Sequence, residues 1–373
     1  IRQRNFRGRG QTVGFSVNYS RFSRAAQISF QEPYVFDRNI SAGIDIYRRD
    51  LNNFNFGAGS ELNTTFEQAT TGFAVRAGVP LTEYLSAVAS YTLNYDQVSL
   101  DEDIYFSDFD GDGIRTCEPL FAGRFLCDAL GERLSSIVGL NLAYSTVDSR
   151  LRPSRGENIS LSTEFAGLGG DVRYLRFRGR AAKYWNVGSG FIFSVQAEGG
   201  TIIGLSDPDG DGENNVLLTD RFFLGEPQFR GFDIRGVGPR ILTQRYILDG
   251  LNQPVLDDDG NPTLITDREQ IRDDSLGGRN YYLARAELEI PLGSGARELG
   301  LRPSVFVDVG ALWGVATQVL QDNPTGIPIL DTNGNETFVD LSTNTVTTSE
   351  VNADGDPNRR NIIVGSEIRE VFL

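Results

Sequence analysis

Two acidic segments of this chain have the residue types and spacing of calcium-binding loops. They read SDFDGDG from Ser107 and DPDGDG from Asp207. Carboxylates at alternate positions can converge on one hard cation, and the glycine allows the tight turn between them. The acid that normally closes such a loop is missing in both segments, and Glu118 and Asp220 are the nearest substitutes. The alternative to a calcium site is therefore a solvated Asp-Gly turn. The candidate ligands are Asp108, Asp110, Asp112, Asp207, Asp209 and Asp211.

Other chemistry is limited by what the composition lacks. The chain has 373 residues, no His and no Met, and a formal net charge of -15. Without His, the commonest general base and metal ligand is absent, and Ser-His-Asp, Cys-His and zinc-hydrolase mechanisms are excluded. The acidic balance argues against a nucleic-acid partner, because phosphate binding needs surplus Lys and Arg. Only carboxylate or Cys chemistry would then remain for an enzyme, so the composition disfavours one; the expectation is a protein that is not an enzyme and requires no cofactor, with Ca²⁺ in the loops as the one candidate ion.

The two cysteines, Cys117 and Cys127, lie close together in one polar loop. Their spacing favours a small disulfide-closed loop in an oxidising compartment over a redox-active pair.

One basic and aromatic stretch interrupts the long acidic segment between residues 204 and 278. Gly225 to Arg240 reads GEPQFRGFDIRGVGPR and contains Phe229, Arg230, Gly231 and Phe232. An ordinary surface loop would leave Arg230 in solvent, so its role depends on the elements around it.

Those elements have a period of two residues, which indicates β-strands throughout. About thirteen alternating runs are present, and none approaches the roughly 20 apolar residues of a membrane helix. The runs lie near residues 1–6, 11–22, 25–36, 39–49, 69–79, 84–97, 135–146, 157–167, 171–184, 190–203, 279–291, 302–315 and 361–370.

The connections between these runs are sorted by length. Short ones alternate with long ones such as 50–68, 98–134, 204–278 and 316–360, with tight turns at 23–24 and 168–170 as exceptions. A soluble sandwich does not sort its loops in this way. The pattern predicts an all-β fold, a transmembrane antiparallel up-and-down β-barrel with short periplasmic turns and long extracellular loops. Aromatic residues near strand ends fit interfacial girdles: Tyr34, Phe36, Tyr84, Tyr144, Tyr184, Trp185 and Trp313.

Strand parity places charged side chains on the inner wall of this barrel. Glu287, Glu289 and Asp308 form an acidic patch there, and Arg176, Arg178 and Arg180 form a basic stripe on an earlier strand. A hydrated lumen is the ordinary explanation of such charges. If the loop 204–278 folds into the lumen, however, Arg230 can bind Asp308 or Glu289 in a bidentate pair and hold the loop inside, with Glu287 as a third expected partner. We expect Gly231 to allow the backbone to approach the wall, with Phe229 and Phe232 packed beside it.

Four stretches, in order, resemble BamA-type outer-membrane assembly proteins, a superfamily that includes TamA, two-partner secretion transporters and organellar insertases. Phe229 to Phe232 resembles the R-G-F loop motif of that family. Asn5 to Gly10 resembles its N-F-x-G-x-G turn, Ser29 to Tyr34 its S-F-x-E-P-Y strand, and Phe306 to Gly310 its F-x-D-x-G strand.

The resemblance implies a sixteen-stranded barrel in the full protein, of which residues 1–373 are a fragment. The periplasmic POTRA domains, the first strand and the last two strands are then missing from it. It also implies that the loop carrying Arg230 enters the lumen, with Asp308 as the expected partner and Glu289 near a second contact.

The function implied is the folding and insertion of client barrel proteins through a lateral seam of the barrel, in the outer membrane of a Gram-negative bacterium and without nucleotide. The expected partners are unfolded outer-membrane clients, outer-membrane lipids and accessory assembly lipoproteins. Two alternatives remain: a TamA-like or two-partner secretion polypeptide transporter, and a passive porin or calcium-stabilised surface barrel.

Overall fold

The computed structural model of the chain describes most of the strand-forming sequence. The described residues are 1–20, 23–53, 66–107, 114–117, 124–206, 216–244, 247, 255, 263, 265–267, 272–292, 301–315, 327–328, 337–340, 345–349, 351, 359–360, 362–363 and 367–371.

Twelve strands form one antiparallel sheet in which every strand pairs with its neighbours in sequence. Within the described residues, β1 and β12 are the two edges of this sheet. The strands are β1 Arg2–Phe6, β2 Gln11–Tyr19, β3 Ser23–Glu32, β4 Ser41–Asn53, β5 Phe66–Pro80, β6 Leu85–Ser99, β7 Gly131–Ser145, β8 Gly156–Gly170, β9 Tyr174–Gly188, β10 Phe191–Gly204, β11 Asn280–Glu289 and β12 Ser304–Trp313. The predicted all-β, up-and-down architecture is confirmed.

The remaining elements are short and lie outside this sheet. The helices in the described part of the chain are single turns, and none has the length or apolar character to cross a membrane. They are α1 Glu102–Tyr105, α2 Arg124–Cys127 and the 3-10 turns Val35–Asp37 and Leu218–Asp220. The short strands are Phe106–Ser107, Thr116–Cys117, Arg240–Gln244, Arg272–Ser275, Ile327–Pro328, Phe338–Asp340, Thr345–Thr347, Arg359–Arg360, Ile362–Ile363 and Glu367–Val371.

The connections are sorted between the two ends of the sheet, as the sequence predicts. Residues 7–10, 81–84 and 189–190 make tight turns at the short-turn end, whereas 54–65, 100–130 and 205–279 connect strands at the long-loop end. The first turn shows how the short end is closed: the side chain of Asn5 accepts a hydrogen bond from the Gly10 N–H at 2.8 Å. Gly8 and Gly10 both have positive φ, which glycine adopts without strain.

The two faces of the sheet differ in chemistry. On the outer face, apolar side chains are exposed, including Val305 and Val307 at 65% and 62%. On the inner face, polar and charged side chains pair across strands, as in the Arg76–Asp45 ion pair and the hydrogen bond from Tyr47 to Asn94. A broad exposed apolar face backed by a polar one is typical of a barrel wall in lipid.

Two sequence-based expectations are corrected. The predicted thirteenth strand, near 361–370, does not join the sheet: Ile362–Ile363 pairs with Ile327–Pro328, and Glu367–Val371 pairs with Arg240–Gln244. The segment Glu367–Val371 reads EIREV and has charged residues at both odd and even positions, so neither face of such a strand would be apolar enough for lipid. Tyr184 was expected in an aromatic girdle, but it shares the parity of Arg176 and lines a recess with Ser86 and Asn158 on the inner face.

The main apolar core lies where residues 216–240, here called the inner loop, cover the inner face of β8 to β12. The loop contributes Val216, Phe222, Leu224, Phe229 and Val237, and the wall contributes Ala166, Tyr174, Ile202, Leu283 and Leu312.

The assignment of faces can be tested at two adjacent residues of β3. Ile28 is exposed on the outer face, whereas the Gln27 side chain donates to Asp45 on the inner face at 3.1 Å. Ile28→Arg should lower the free energy of unfolding in lipid vesicles by about 2–4 kcal/mol, the cost of arginine near the bilayer midplane. Gln27→Arg, the matched control, should cost less than about 1 kcal/mol because its charge meets a carboxylate in a polar lumen. Equal costs would contradict the assignment.

Candidate functional site

Backbone hydrogen bonds give the inner loop a defined shape. Isolated β-bridges pair Phe222 with Gly278 and Leu224 with Val237, so the two ends of the segment 225–236 are held together. Inside it, the Phe229 N–H donates to the Gly225 carbonyl at 2.9 Å. The segment brings the Arg230 side chain down onto β11 and β12.

Arg230 binds two carboxylates of the wall. Its Nε and Nη2 donate to the two oxygens of Asp308 at 2.9 and 2.8 Å, and its Nη1 donates to Glu287 at 3.3 Å. The Asp308 side chain is only 3% exposed and that of Arg230 is 26% exposed. The hydrogen bonds to Asp308 raise the pKa of Arg230, so the guanidinium stays charged. Bidentate, charge-assisted pairs of this kind are among the strong hydrogen bonds of proteins.

The wall supplies its own partners to the same carboxylates. Arg285 lies directly opposite Asp308 in the β11–β12 register and donates to it from Nε at 2.9 Å and from Nη2 at 3.2 Å. Its Nη2 also donates to the Gln228 carbonyl of the loop at 2.7 Å. The Ser304 hydroxyl donates to Glu287 at 2.6 Å. We call Arg230, Arg285, Glu287, Ser304 and Asp308 the Arg230 cluster.

The F-x-D-x-G strand is shaped to receive the R-G-F loop, because alternate residues of a strand share one face. The Arg230 guanidinium carbon lies 3.3 Å from the centroid of the Phe306 ring, a cation–π contact beside the ion pair. A side chain at Gly310 would approach Phe229 to 3.0 Å, so glycine leaves room for that ring. Phe229 is buried, and its ring centroid lies 4.4 Å from that of Phe232.

Gly231 has a different role from the one expected. A Cβ at this position would meet nothing within 4 Å, so the residue does not approach the wall. Its φ of +86° shows that glycine is needed for the turn of the backbone. The close approach occurs at Gly238, where a Cβ would lie 2.7 Å from Leu312.

Of the three carboxylates proposed for Arg230, the structure brings Asp308 and Glu287 to it and places Glu289 elsewhere. Glu289 lies 4.0 Å from Arg302. It shares a face with Glu287 but lies two residues further along β11, a displacement of about 7 Å.

A second charged contact holds the beginning of the inner loop, and sequence reasoning did not identify it. Arg133 on β7 donates to the Asp220 carboxylate at 3.0 Å and to the Thr219 hydroxyl. Arg176 on β9 donates to the Asp220 carbonyl at 2.7 Å. Burial raises the pKa of the Asp220 carboxyl, and the Arg133 guanidinium opposes that shift. Asp220, the substitute calcium ligand considered from the sequence, is thus paired with Arg133 in this structure.

The predicted cysteine pair lies beside this second contact. Cys117 and Cys127 form a disulfide with Cα atoms 5.7 Å apart. The surrounding loop packs Leu100, Tyr105 and Leu126 around Leu218 of the inner loop.

The calcium candidates Asp108, Asp110, Asp112, Asp207, Asp209 and Asp211 all lie outside the described residues. Elsewhere in the described chain, no group of three or more acidic or cysteine side chains is arranged to hold a metal ion. Calcium binding stays a prediction.

Comparison with known families assigns the fold that carries this site. A family model described as the Omp85 superfamily domain matches residues 5–326. The chain belongs to the Omp85 superfamily. The match includes all twelve strands after the first three residues of β1, as well as the Arg230 cluster.

Within the Omp85 superfamily, the chain is similar to several curated BamA proteins. The outer membrane protein assembly factor BamA of Neorickettsia risticii is 26% identical over 82% of this chain and 32% of its own length. BamA of Neisseria meningitidis is 22% identical over 84% of this chain and 34% of its own length. The chain thus spans about a third of these curated relatives. The crystal structure of BamA from Haemophilus ducreyi lacking POTRA domains 1–3 has a TM-score of 0.61 and 19% identity over 84% of this chain and 54% of its own.

The superfamily match, together with the BamA relatives and the solved BamA structure, confirms the predicted BamA-type barrel and its outer-membrane location. The prediction that the protein is not an enzyme agrees with the non-enzymatic character of the Omp85 superfamily. The exposed apolar outer face agrees with the location.

The geometry of the Arg230 contact predicts that lysine cannot replace arginine. Arg230→Lys keeps the charge but loses the second hydrogen bond to Asp308 and the planar stack on Phe306. We expect the free energy of unfolding in detergent, measured by urea titration, to fall by about 1–3 kcal/mol. Arg7→Lys, on the exposed first turn, is the matched control and should change it by less than about 0.5 kcal/mol. Equal stability of Arg230→Lys and the unsubstituted chain would exclude the bidentate contact.

Proposed function

We propose that this chain is the membrane-spanning part of an outer-membrane β-barrel assembly factor, which folds and inserts client barrel proteins. The observation that supports it best is the R-G-F segment held against β11 and β12 by the Arg230 cluster in a BamA-type Omp85 barrel. The proposal also includes the partners expected from the sequence: unfolded clients, outer-membrane lipids and accessory lipoproteins.

The physical basis of insertion is the satisfaction of backbone hydrogen bonds. A strand entering lipid with unpaired N–H and C=O groups pays several kcal/mol for each. An edge strand exposed at a lateral seam offers partners to an incoming client strand, which adds to the sheet by main-chain hydrogen bonds. The free energy of client folding drives this process, so no nucleotide is required.

The inner loop favours this function over a passive pore. Its buried side chains cover the inner face of five strands, from β8 to β12, where a porin needs an open, water-filled channel. The addition of a client strand at the edge of the sheet does not require that channel.

The proposal predicts that Arg230→Ala in the full-length protein lowers the amount of folded client barrels in the outer membrane. Loss of the charge-assisted contact, worth about 1.5–3 kcal/mol, lowers the equilibrium constant for docking of the loop by roughly 10- to 150-fold. The measurement is the heat-modifiable fraction of client barrels in cells depleted of the native protein. Glu226→Gln, an exposed charge change in the same loop, is the matched control and should leave client levels unchanged.

Two outcomes would contradict the proposal. Normal client levels with Arg230→Ala would remove the role of the loop contact. Loss of a secreted polypeptide with normal client barrels would instead identify a polypeptide transporter.

A further inference from the structure

Each carboxylate in the Arg230 cluster has one partner from the loop and one from the wall. Asp308 accepts from Arg230 of the loop and from Arg285 of β11. Glu287 accepts from Arg230 and from the Ser304 hydroxyl of β12. If Arg230 withdrew, both carboxylates would keep a donor.

We propose that Arg285 and Ser304 make docking of the inner loop reversible, by partnering Asp308 and Glu287 whenever Arg230 leaves the wall. The loop then exchanges between a docked state and an undocked state in which no buried carboxylate is left alone. Arg285 is a positioning residue in this account. The biological use of the exchange rests on the proposed function, whereas the exchange itself is a property of the barrel.

The energetic argument depends on the surroundings of Asp308. With the loop docked, its side chain is 3% exposed, and a buried charge that loses its only partner is strongly destabilising. With Arg285 directly opposite in the register, that penalty does not arise on undocking. The wall is thus charge-compensated with or without the loop.

Arg285 also touches the loop itself, and this contact creates an opposing expectation. Its Nη2 donates to the Gln228 carbonyl at 2.7 Å. If Arg285 acted mainly as a strut that holds the loop to the wall through this bond, its removal would loosen the loop. One hydrogen bond to a neutral carbonyl contributes less free energy than it costs to leave a buried carboxylate without a cation. Removal of Arg285 should therefore tighten the loop, because Asp308 then has Arg230 as its only cation in the cluster.

The test is amide hydrogen exchange of the full chain in lipid nanodiscs, followed at Phe229 and Val237, whose N–H groups bond to Gly225 and Leu224 within the loop. Arg285→Gln should slow the exchange of both amides by about tenfold or more, since undocking now strands Asp308. Ser304→Ala should slow it by a smaller factor, about threefold, through Glu287. Arg285→Lys retains a cation and is the control, with rates near those of the unsubstituted chain. Strand amides of β6 report any change in global stability.

Faster or unchanged loop exchange in Arg285→Gln would overturn the proposal and leave Arg285 as a strut. If Arg285→Gln yields no folded protein, Ser304→Ala decides alone: slower exchange supports the proposal, and any other rate overturns it. Since the measurement uses no client protein, its failure is distinct from a failure of the assembly function.

Discussion

A carboxylate on the inner face of this sheet, Asp308, sets the constraint on which the site depends. Its side chain is almost fully enclosed, so its charge must be compensated by nearby cations. One cation comes from the neighbouring strand and the other from Arg230, 78 residues earlier in the chain. The inner loop delivers Arg230 by turning onto the wall, where its Phe222, Leu224 and Phe229 are buried.

The loop is held at two separated places. Arg133 and Arg176 bind Thr219 and Asp220 near its start, and the Arg230 cluster binds its tip. Between them, Phe222, Leu224 and Phe229 fill the core against β8 to β12. Five of the twelve strands of the sheet are thus covered from inside, while their outer face remains apolar. This covered interior agrees with the proposed function at the edge of the sheet.

Much of this arrangement follows from sequence parity. Alternation predicted the faces, loop lengths predicted the two ends, and the pairing of Arg230 with an inner carboxylate was anticipated. Phe306 lies two residues before Asp308 and therefore on the same face of the strand, so the same alternation could have predicted its place beneath Arg230. That Arg285 lies directly opposite Asp308 could not be predicted, because alternation does not fix the register of the two strands across the connection 290–303. The Arg133–Asp220 contact was missed because loop residues have no periodicity to show where they fold. The run near 361–370 was wrongly counted as a barrel strand, although the charges of EIREV at 367–371 fall at both odd and even positions.

The central claim is that Arg230 and Asp308 interact directly to hold the loop on the wall. A double-mutant cycle tests it, with the free energy of unfolding measured for the unsubstituted chain, Arg230→Ala, Asp308→Ala and the double variant in one detergent. The account predicts a coupling energy of about 1.5–3 kcal/mol, so that the double variant loses clearly less than the sum of the two single losses. Additive losses would contradict it.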